Sequence, residues 1–346
     1  MRQRRGLAGL AVAAAVVGMA TFWPPTSANA AASWTPAEVT GDGNLLTAVS
    51  CVNARFCMAI DDQGTVLTYN GWTWRSATID SGSRLNALSC ATTRFCVAVD
   101  NHSNALIYNG WTWRTTPNAD GDNPINGVSC VSRGFCMAVG SDGSAALFNG
   151  GTWSTGDING DRANLAVSCV TRTFCAAVDG QGKVMIFDGG SVDNWTGSQI
   201  DGSNQLNAVS CLSVRFCAAV DNDGNAMTYN GTAWSEAADI DGGTAINGVS
   251  CPAKSFCVAV DNDGHALTYD GSAWSGAVDI DGGTAINGVS CVTGSFCAAV
   301  DSSGDYLLEV ALHFWPLHLA GLTYTGRVSF FSPPARAQPS GIGLEP

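Results

Sequence analysis

The stretch VSCPAKSFCVAVDNDG at residues 249–264, followed by YDGSAW at residues 269–274, recurs with small changes along most of the 346-residue chain. Each copy carries two cysteines six positions apart, and all 14 cysteines of the chain fall into such pairs. The first cysteines of successive copies are 39, 40, 39, 42, 40 and 40 residues apart. A period of about 40 residues is that of one four-stranded blade of a β-propeller. The chain is therefore a repeat of seven units.

Each unit reads as four short strands, because β-rich runs are separated by Asn-Asp-Gly, Asn-Gly and Asp-Gly turns. The first strand ends in Val-Ser-Cys, the second begins at Phe-Cys, and the fourth begins at a tryptophan. Helical periodicity is absent from the repeats. We predict an all-β, seven-bladed β-propeller with four-stranded antiparallel blades over residues 33–310.

The tryptophans predict how the ring closes. Six units end in a blade tryptophan: Trp74, Trp113, Trp153, Trp195, Trp234 and Trp274. The seventh unit reaches Leu307 and Leu308 without one, whereas Trp34 lies 40 residues before Trp74. We expect the N-terminal segment from about Ser33 to supply the outer strand of the last blade, which removes the open edge of a linear stack.

The cysteine pairs are interpreted as seven disulfides, each bridging the hairpin of the inner two strands. They are Cys51–Cys57, Cys90–Cys96, Cys130–Cys136, Cys169–Cys175, Cys211–Cys217, Cys251–Cys257 and Cys291–Cys297. Zinc is the alternative, but structural zinc sites gather four ligands, and blades hold their pairs apart. Each small closed loop contributes about 2 kcal/mol in the chain-entropy model.

The two ends of the chain lie outside the repeat. Residues 1–30 begin with three arginines, continue with an apolar run and end in Ala28-Asn29-Ala30, which is the order of a secretory signal peptide. The apolar run is too short to favour a membrane span. Residues 311–346 are predicted to be an irregular tail, either a docking segment or an out-of-pattern extension. We expect a secreted monomer, a location that also suits disulfides.

Charge excludes one class of partner. The chain has 16 Lys and Arg against 29 Asp and Glu, a net charge of −13, which disfavours nucleic acid. Topology places the second turn of each blade and the links between blades at one end, where aspartates collect. The cysteine hairpins lie at the other end, with Arg55, Arg94, Arg133, Arg172, Arg215 and Lys254. The predicted molecule is electrostatically two-sided.

The patterns Ser-Cys-x5-Cys-x-Ala-Val-Asp and Tyr-Asn-Gly-x-x-Trp resemble the repeats of secreted actinobacterial propeller proteins, and are distantly similar to BNR/Asp-box propellers such as sialidases. The resemblance covers about residues 33–310 and implies a propeller located outside the cell. An Asp-box has Asp two residues before the turn glycine, and this chain has tyrosine there, as at Tyr69 and Tyr269. Sialidase chemistry is not implied, because fold alone does not transfer activity.

Two units depart from the consensus at one turn. After the turn glycine, blades 1 and 2 carry Trp72 and Trp111, followed by the blade tryptophan and then by Arg75 or Arg114. Other blades have smaller residues there: Gly151, Thr232 and Ser272. Exposed aromatics flanked by polar groups suit stacking on a sugar ring or anchoring a protein partner. The alternative is that both tryptophans pack on neighbouring hairpins.

The acidic turns are the candidate metal ligands. Asp221, Asp223, Asp261 and Asp263 offer oxygen atoms of the kind that calcium prefers, but no bidentate glutamate follows in a longer loop. Asp, Asn and Gly also serve turn geometry directly. We favour a protein without metal or cofactor, in which these four aspartates are weak calcium candidates.

These observations predict a secreted, non-catalytic binding or interaction module for a cell-surface glycan or protein. The alternative is a carbohydrate-active hydrolase or lyase that uses the central funnel. Its paired carboxylates would have to come from aspartates that the turns already explain, because glutamates are scarce in the repeats.

Overall fold

A computed structural model of the chain describes residues 34–38 and 43–310. In these ranges all regular structure is β-strand, arranged as seven four-stranded antiparallel sheets. The predicted all-β, seven-bladed propeller is confirmed. No helix that could cross a bilayer is found in this part of the chain. The predicted signal peptide (1–30) and tail (311–346) lie outside the described residues.

The first six blades each use four consecutive strands. Blade 1 has β2 (Leu46–Asn53), β3 (Phe56–Asp61), β4 (Thr65–Tyr69) and β5 (Trp74–Thr78), and blade 2 has β6 (Leu85–Thr92), β7 (Phe95–Asp100), β8 (Ala105–Tyr108) and β9 (Trp113–Thr116). Blade 3 has β10 (Ile125–Ser132), β11 (Phe135–Gly140), β12 (Ser144–Phe148) and β13 (Trp153–Asp157), and blade 4 has β14 (Asn164–Thr171), β15 (Phe174–Asp179), β16 (Lys183–Phe187) and β17 (Trp195–Gln199). Blade 5 has β18 (Leu206–Ser213), β19 (Phe216–Asp221), β20 (Asn225–Tyr229) and β21 (Ala238–Asp239), and blade 6 has β22 (Ile246–Ala253), β23 (Phe256–Asp261), β24 (His265–Tyr269) and β25 (Val278–Asp279).

Blade 7 joins the two ends of the repeat. Its inner strands are β26 (Ile286–Thr293), β27 (Phe296–Asp301) and β28 (Asp305–Val310), and its outer strand is β1 (Trp34–Glu38). Trp34 lies opposite Glu309, and Glu38 lies opposite Asp305. The predicted closure by the N-terminal strand is confirmed.

The second strand of each blade is buried on both faces, because every blade packs against a neighbour on either side. All six residues of β7 are buried, as are those of β11. Val97 and Val99 of blade 2 pack with Cys136 and Ala138 of blade 3 in one apolar cluster. This position explains why Phe-Cys-x-Ala-Val reads as a continuous apolar run rather than an alternating one.

The cysteines form the seven predicted disulfides, and no described cysteine is free. In each bridge the Cα atoms are 4.0 to 4.1 Å apart across the hairpin of the inner two strands. The second cysteine of every pair is fully buried. The disulfide prediction is confirmed, and the bridges lie within blades rather than between them.

A ring of hydrogen bonds through the serines joins the blades to one another. The serine before the first cysteine of each blade accepts a hydrogen bond from the backbone N–H of the first cysteine in the next blade, at 2.9 to 3.0 Å. Ser290 of blade 7 accepts from Cys51 of blade 1 and completes the ring. The Ser-Cys pair of the motif is therefore a contact between blades.

A second ring lies at the start of the inner strands. Asn86, Asn126, Asn207, Asn247 and Asn287 each donate a side-chain N–H to a backbone carbonyl of the next blade, and Thr47 donates its hydroxyl in the same way. Blade 4 has Leu165 at this position, which has no donor. Six of the seven blade contacts therefore carry this bond.

The blade tryptophan packs against the third strand. In blades 1 to 6 it contacts an aromatic residue of that strand, with ring centroids 5.2 to 5.4 Å apart. Blade 7 has Glu309 in place of the aromatic, opposite Trp34 and only 4% exposed. Burial raises the pKa of Glu309.

The outer strands of blades 5 and 6 do not begin at the tryptophan as predicted. Trp234 and Trp274 make isolated bridges, and regular pairing resumes only in the two-residue strands β21 and β25. In blade 5 the hydroxyl of Ser235 accepts the hydrogen bond from the Thr228 N–H. A side chain therefore replaces a backbone carbonyl, and the ladder is interrupted.

Candidate functional site

The turns lie at two ends of the blades, as the sequence predicts. The turn between β4 and β5 lies beside the cysteine hairpin of the same blade. Gly71 of this turn is so close to Arg55 of the hairpin that a Cβ atom added to Gly71 would be 3.1 Å from the Cγ of Arg55. We call this end the hairpin face. At the other end the carbonyl of Gly64 accepts hydrogen bonds from Ile79 and Asp80, which lead to the next blade. We call that end the link face.

Two tryptophans extend from the hairpin face. Trp72 is 88% exposed and Trp111 is 82% exposed, the largest values among the exposed large apolar side chains of the described residues. They occupy the same turn in consecutive blades. Such exposure excludes the alternative that these side chains pack on neighbouring hairpins.

The local sequence fixes this turn. The Oδ1 of Asn70 accepts hydrogen bonds from the N–H groups of Trp72 and Thr73, both at 3.0 Å. Gly71 has φ of 94° and lies close to the stem of Arg55, so the position requires glycine. Asn109 and Gly110, whose φ is 101°, hold Trp111 in the same way.

The neighbouring blade tryptophans, Trp74 and Trp113, are partly buried. Trp74 contacts Tyr69 at 5.2 Å and Tyr306 of blade 7 at 5.1 Å between ring centroids. Tryptophans two residues apart in the Trp-Thr-Trp sequence thus serve different purposes, because the chain turns between them. The first is presented to solvent and the second joins the packed rings.

Arginines lie in the hairpins and outer strands next to the turns of the two exposed tryptophans. All of those in blades 1 and 2 near this turn are exposed, and none forms an ion pair with a described carboxylate. Arg133 of blade 3 extends toward them, with its guanidinium carbon 6.0 Å from the ring centroid of Phe95. We call this set the tryptophan–arginine surface: Trp72, Trp111, Arg55, Arg75, Arg94 and Arg114. The four candidate binding residues of the sequence analysis belong to it.

The aspartates of the link face shape turns. Asp221 is fully buried, and its Oδ1 accepts hydrogen bonds from the N–H groups of Asp223 at 3.0 Å and Asn225 at 2.6 Å. Asp261 is bonded in the same way to Asp263 and His265. The Asp-x-x-Gly sequence thus specifies the turn between the second and third strands. Sequence reasoning ascribed these aspartates to turns without identifying their burial.

One group on the link face has a donor set suited to a metal. Ligand atoms of Asp241, Asp261 and His265 lie within 4.8 Å of one another. The Nδ1 of His265 is 2.7 Å from the Oδ2 of Asp261, so hydrogen bonding already occupies that carboxylate. The calcium candidates Asp223 and Asp263 are exposed beside these turns, and calcium binding there stays a prediction.

Two concave sites lie away from the tryptophan–arginine surface. The first, about 310 Å³, is lined by residues at the start of the inner strands, among them Thr47, Arg84 and Asn207, with no carboxylate or histidine. The second, about 610 Å³, lies on the rim between blades 4 and 5 and is lined by Tyr229, Trp234 and other residues. The first contains no acid–base pair for glycoside chemistry.

No known family model matches the sequence, and no curated protein matches it. Among solved structures, "YCF48 bound to D1 peptide" is similar with a TM-score of 0.66 and 13% identity, over 80% of this chain and 95% of that one. "YCF48 from Cyanidioschyzon merolae" gives 0.65 and 15%, over 81% and 99%. "Structure of U3-55K" gives 0.69 and 10%, over 80% and 98%. The likeness is one of fold.

At 10 to 15% identity these structures identify the architecture and carry no residue roles to this chain. Each of them is covered almost completely, so the seven blades of this chain account for the whole of the matched propellers. The cysteine pairs and the tryptophan–arginine surface have to be interpreted from this chain alone.

Proposed function

We propose that the protein is an exported interaction module that binds an acidic segment of a protein partner through the tryptophan–arginine surface, without catalysing a reaction. The observation that carries this proposal is the pair of exposed tryptophans, 88% and 82% exposed, in equivalent turns of consecutive blades. Tryptophan and arginine are the residues most enriched among binding hot spots. A partner that covers these two rings would desolvate a large apolar area.

Charge supports an acidic partner. The chain as a whole carries −13, yet the turns that hold Trp72 and Trp111, residues 70–73 and 109–112, contain no carboxylate. The exposed guanidiniums there lack carboxylate partners within the described residues. A basic sector on an acidic molecule steers an acidic segment to one place and repels it elsewhere.

A polypeptide suits the surface better than a neutral sugar. Stacking on a sugar ring would use the two indoles but leave the arginines without a role, whereas glutamate or aspartate side chains use both. One solved structure of this fold is named as YCF48 bound to D1 peptide, so the fold accommodates a peptide in that protein. A cell-surface glycan is the second candidate, because exposed tryptophans also stack on sugars.

Export is part of the proposal. Residues 1–30 have the order of a signal peptide, and seven disulfides suit an oxidising compartment. N-terminal sequencing and intact mass of the protein recovered from the medium would test it. The expected N-terminus lies just after Ala30, and retention of residues 1–30 would contradict export by this route.

The binding test uses the purified, disulfide-bonded protein on arrays of matched Asp/Glu-rich, neutral and Lys/Arg-rich peptides, and on insoluble cell-wall polysaccharide. We expect retention on the acidic peptides and its loss in the double variant Trp72→Ala with Trp111→Ala. The matched control, Thr232→Ala with Ser272→Ala, changes the same turn in blades 5 and 6 and retains binding. Equal retention on acidic and basic peptides would contradict the proposal, and tryptophan-dependent retention on polysaccharide alone would replace it with the glycan.

A further inference from the structure

Four pairs of aspartates face each other on the link face. In each pair one carboxyl comes from a link between blades and the other is the buried turn aspartate of the following blade, in the positions that Asn159 and Asp179 occupy in blade 4, where the two side chains are 2.9 Å apart. The pairs are Asp80–Asp100, Asp201–Asp221, Asp241–Asp261 and Asp281–Asp301. Two fully ionised carboxylates at this separation would repel each other in a poorly solvated site.

These pairs leave buried oxygen atoms without a donor. The Oδ2 atoms of Asp80, Asp201, Asp241 and Asp281 are all inaccessible to solvent and have no hydrogen-bond partner when both carboxyls are ionised. Asp201 is only 6% exposed, and Asp301, which is 1% exposed, also has an unpartnered Oδ2. A proton on one carboxyl of each pair would supply the missing hydrogen bond.

The three other blades supply a donor by other means. In blade 4 the link has Asn159 in place of aspartate, and its Nδ2 donates to the Oδ2 of Asp179 at 2.9 Å. In blade 1, Asn44 donates to the Oδ2 of Asp61 at 3.2 Å. In blade 3 the turn aspartate is replaced by Gly140, and the hydroxyl of Ser144 donates to Asp120. In each of these blades an N–H or O–H reaches one oxygen of the carboxylate, although the Oδ1 of Asp120 stays without a donor.

We propose that the two pairs that lie apart from the calcium candidates, Asp80–Asp100 and Asp281–Asp301, each hold one shared proton, which joins a link segment to the following blade and makes the stability of the propeller depend on pH. Asn159 of blade 4 shows the same contact with an amide, because its N–H donates to Asp179 as a carboxyl O–H would. Where it replaces aspartate, the same contact forms with a permanent donor.

Burial and the neighbouring carboxylates raise the pKa of the link aspartates, whereas hydrogen bonds from Ser83 to Asp80 and from Asn204 to Asp201 lower it, as do two histidines. Each link aspartate is faced by other carboxylates. Asp201 is faced by Asp221 and Asp223, and Asp281 by Asp301, Asp279 and Asp305. Asp241 is faced by Asp261 and Asp263, and Asp80 by Asp100. Burial, then the partner carboxylate, raises the pKa of Asp201, Asp241 and Asp281 to about 7. His265 beside Asp241 and His102 beside Asp80 oppose this effect, so the pair Asp281–Asp301 of blade 7 is the clearest case.

The sign of the pH dependence follows from proton binding. The unfolded chain loses these protons near pH 4, whereas folding raises the pKa of Asp80 and raises that of Asp281 to about 7. Between those values the folded state binds more protons than the unfolded state, so stability falls as the pH rises. The contribution is present at acidic pH and is lost above about pH 7.

The test is the thermal midpoint of the oxidised protein in EDTA between pH 5 and pH 8.5. For the unmodified protein we expect a fall of at least about 5 °C across this range, since 1 kcal/mol corresponds to about 2–4 °C in a domain of this size. The variant Asp80→Asn with Asp281→Asn should show a smaller fall and a higher midpoint at pH 8.5. The converse variant combines Asn159→Asp with Lys183→Gln, because the Nζ of Lys183 is 2.9 Å from the Oδ1 of Asn159 and would neutralise a carboxylate there. It creates a further pair and should lower the midpoint at pH 8.5 alone.

A flat pH profile of the unmodified protein, or an unchanged slope in the Asp→Asn variant, would overturn the proposal. If that variant fails to fold, infrared spectra of the unmodified protein decide, because a protonated carboxyl band at pH 6 must disappear above pH 8. The same measurement with added calcium tests whether a cation binds the aspartate pairs instead of a proton. If EDTA lowers the midpoint at pH 6 and calcium restores it, a cation rather than a proton occupies the pairs.

Discussion

The inner three strands of blades 1 and 2 are built in the same way as those of blades 5 and 6, but the last turn and the outer strand differ. In all four blades the cysteine hairpin, the serine contact and the buried second strand are the same. The last turn carries Trp72 or Trp111 in the first two blades and Thr232 or Ser272 in the others. The outer strand has five residues in β5 and only two in β21.

The difference shows where this fold is free to vary. Inner strands contact both neighbouring blades, so a change there affects two interfaces and the ring as a whole. The last turn and the outer strand have solvent on one side, so they tolerate new side chains. A surface for a partner is added most easily there, and the tryptophan–arginine surface lies there.

The largest expected effect separates the two tryptophans of one turn. Trp74→Ala should cost about 3 kcal/mol of unfolding free energy, because its ring packs on Tyr69 and Tyr306. Trp72→Ala should change it by less than about 0.5 kcal/mol, as expected for an exposed side chain. Urea unfolding of the oxidised protein measures both. Similar losses for the two variants would show that Trp72 belongs to the packed structure.

An intermediate effect tests whether the inner strands are equivalent in both regions. Ser50→Ala removes the acceptor of the Cys90 N–H, and Ser210→Ala removes that of the Cys251 N–H. Each should cost about 1–2 kcal/mol, since a half-buried N–H loses its partner. Equal losses in urea unfolding support a uniform ring. A loss in one region only would mean that the blades differ at the axis too.

The repeat, the seven disulfides and the closing strand could be predicted because their signals are local. Cys51 and Cys57 pair within one hairpin, and the missing tryptophan of the last blade is visible as a gap in a period. The serine and asparagine rings were missed, since Ser50 contacts Cys90, 40 residues away in the next blade. The occurrence of serine before the first cysteine in all seven units was the available signal.

The candidate site could be predicted only in part. Trp72 and Trp111 stood out as departures from a consensus, which requires no structure. Their exposure depends on how the turns are placed around the ring, and so does the lack of an ion pair at Arg75 and Arg114 with any described carboxylate. The aspartate pairs were hidden for a similar reason, because Asp201 and Asp221 belong to a link and to the following blade and each alone reads as an ordinary turn residue.

The smaller effect concerns charge. Arg75→Glu with Arg114→Glu should slow association with an Asp/Glu-rich peptide by about 10-fold at low salt, with little effect at high salt, where charges are screened. Reversing Arg215 and Lys254, on the hairpin face of blades 5 and 6, should change the rate much less. Stopped-flow or biosensor kinetics at two salt concentrations distinguish these cases. An association rate that is unchanged by Arg75→Glu with Arg114→Glu would show that these arginines do not attract the peptide by charge.

The most direct test of the central claim is the dissociation constant for an Asp/Glu-rich peptide selected on the array, measured for two matched double variants. Trp72→Ala with Trp111→Ala should weaken binding by at least about 30-fold, the equivalent of one hot-spot residue of 2 kcal/mol. Thr232→Ala with Ser272→Ala, at the same turn position in blades 5 and 6, should change it by less than about 2-fold. Equal effects of the two variants, or none, would contradict the account.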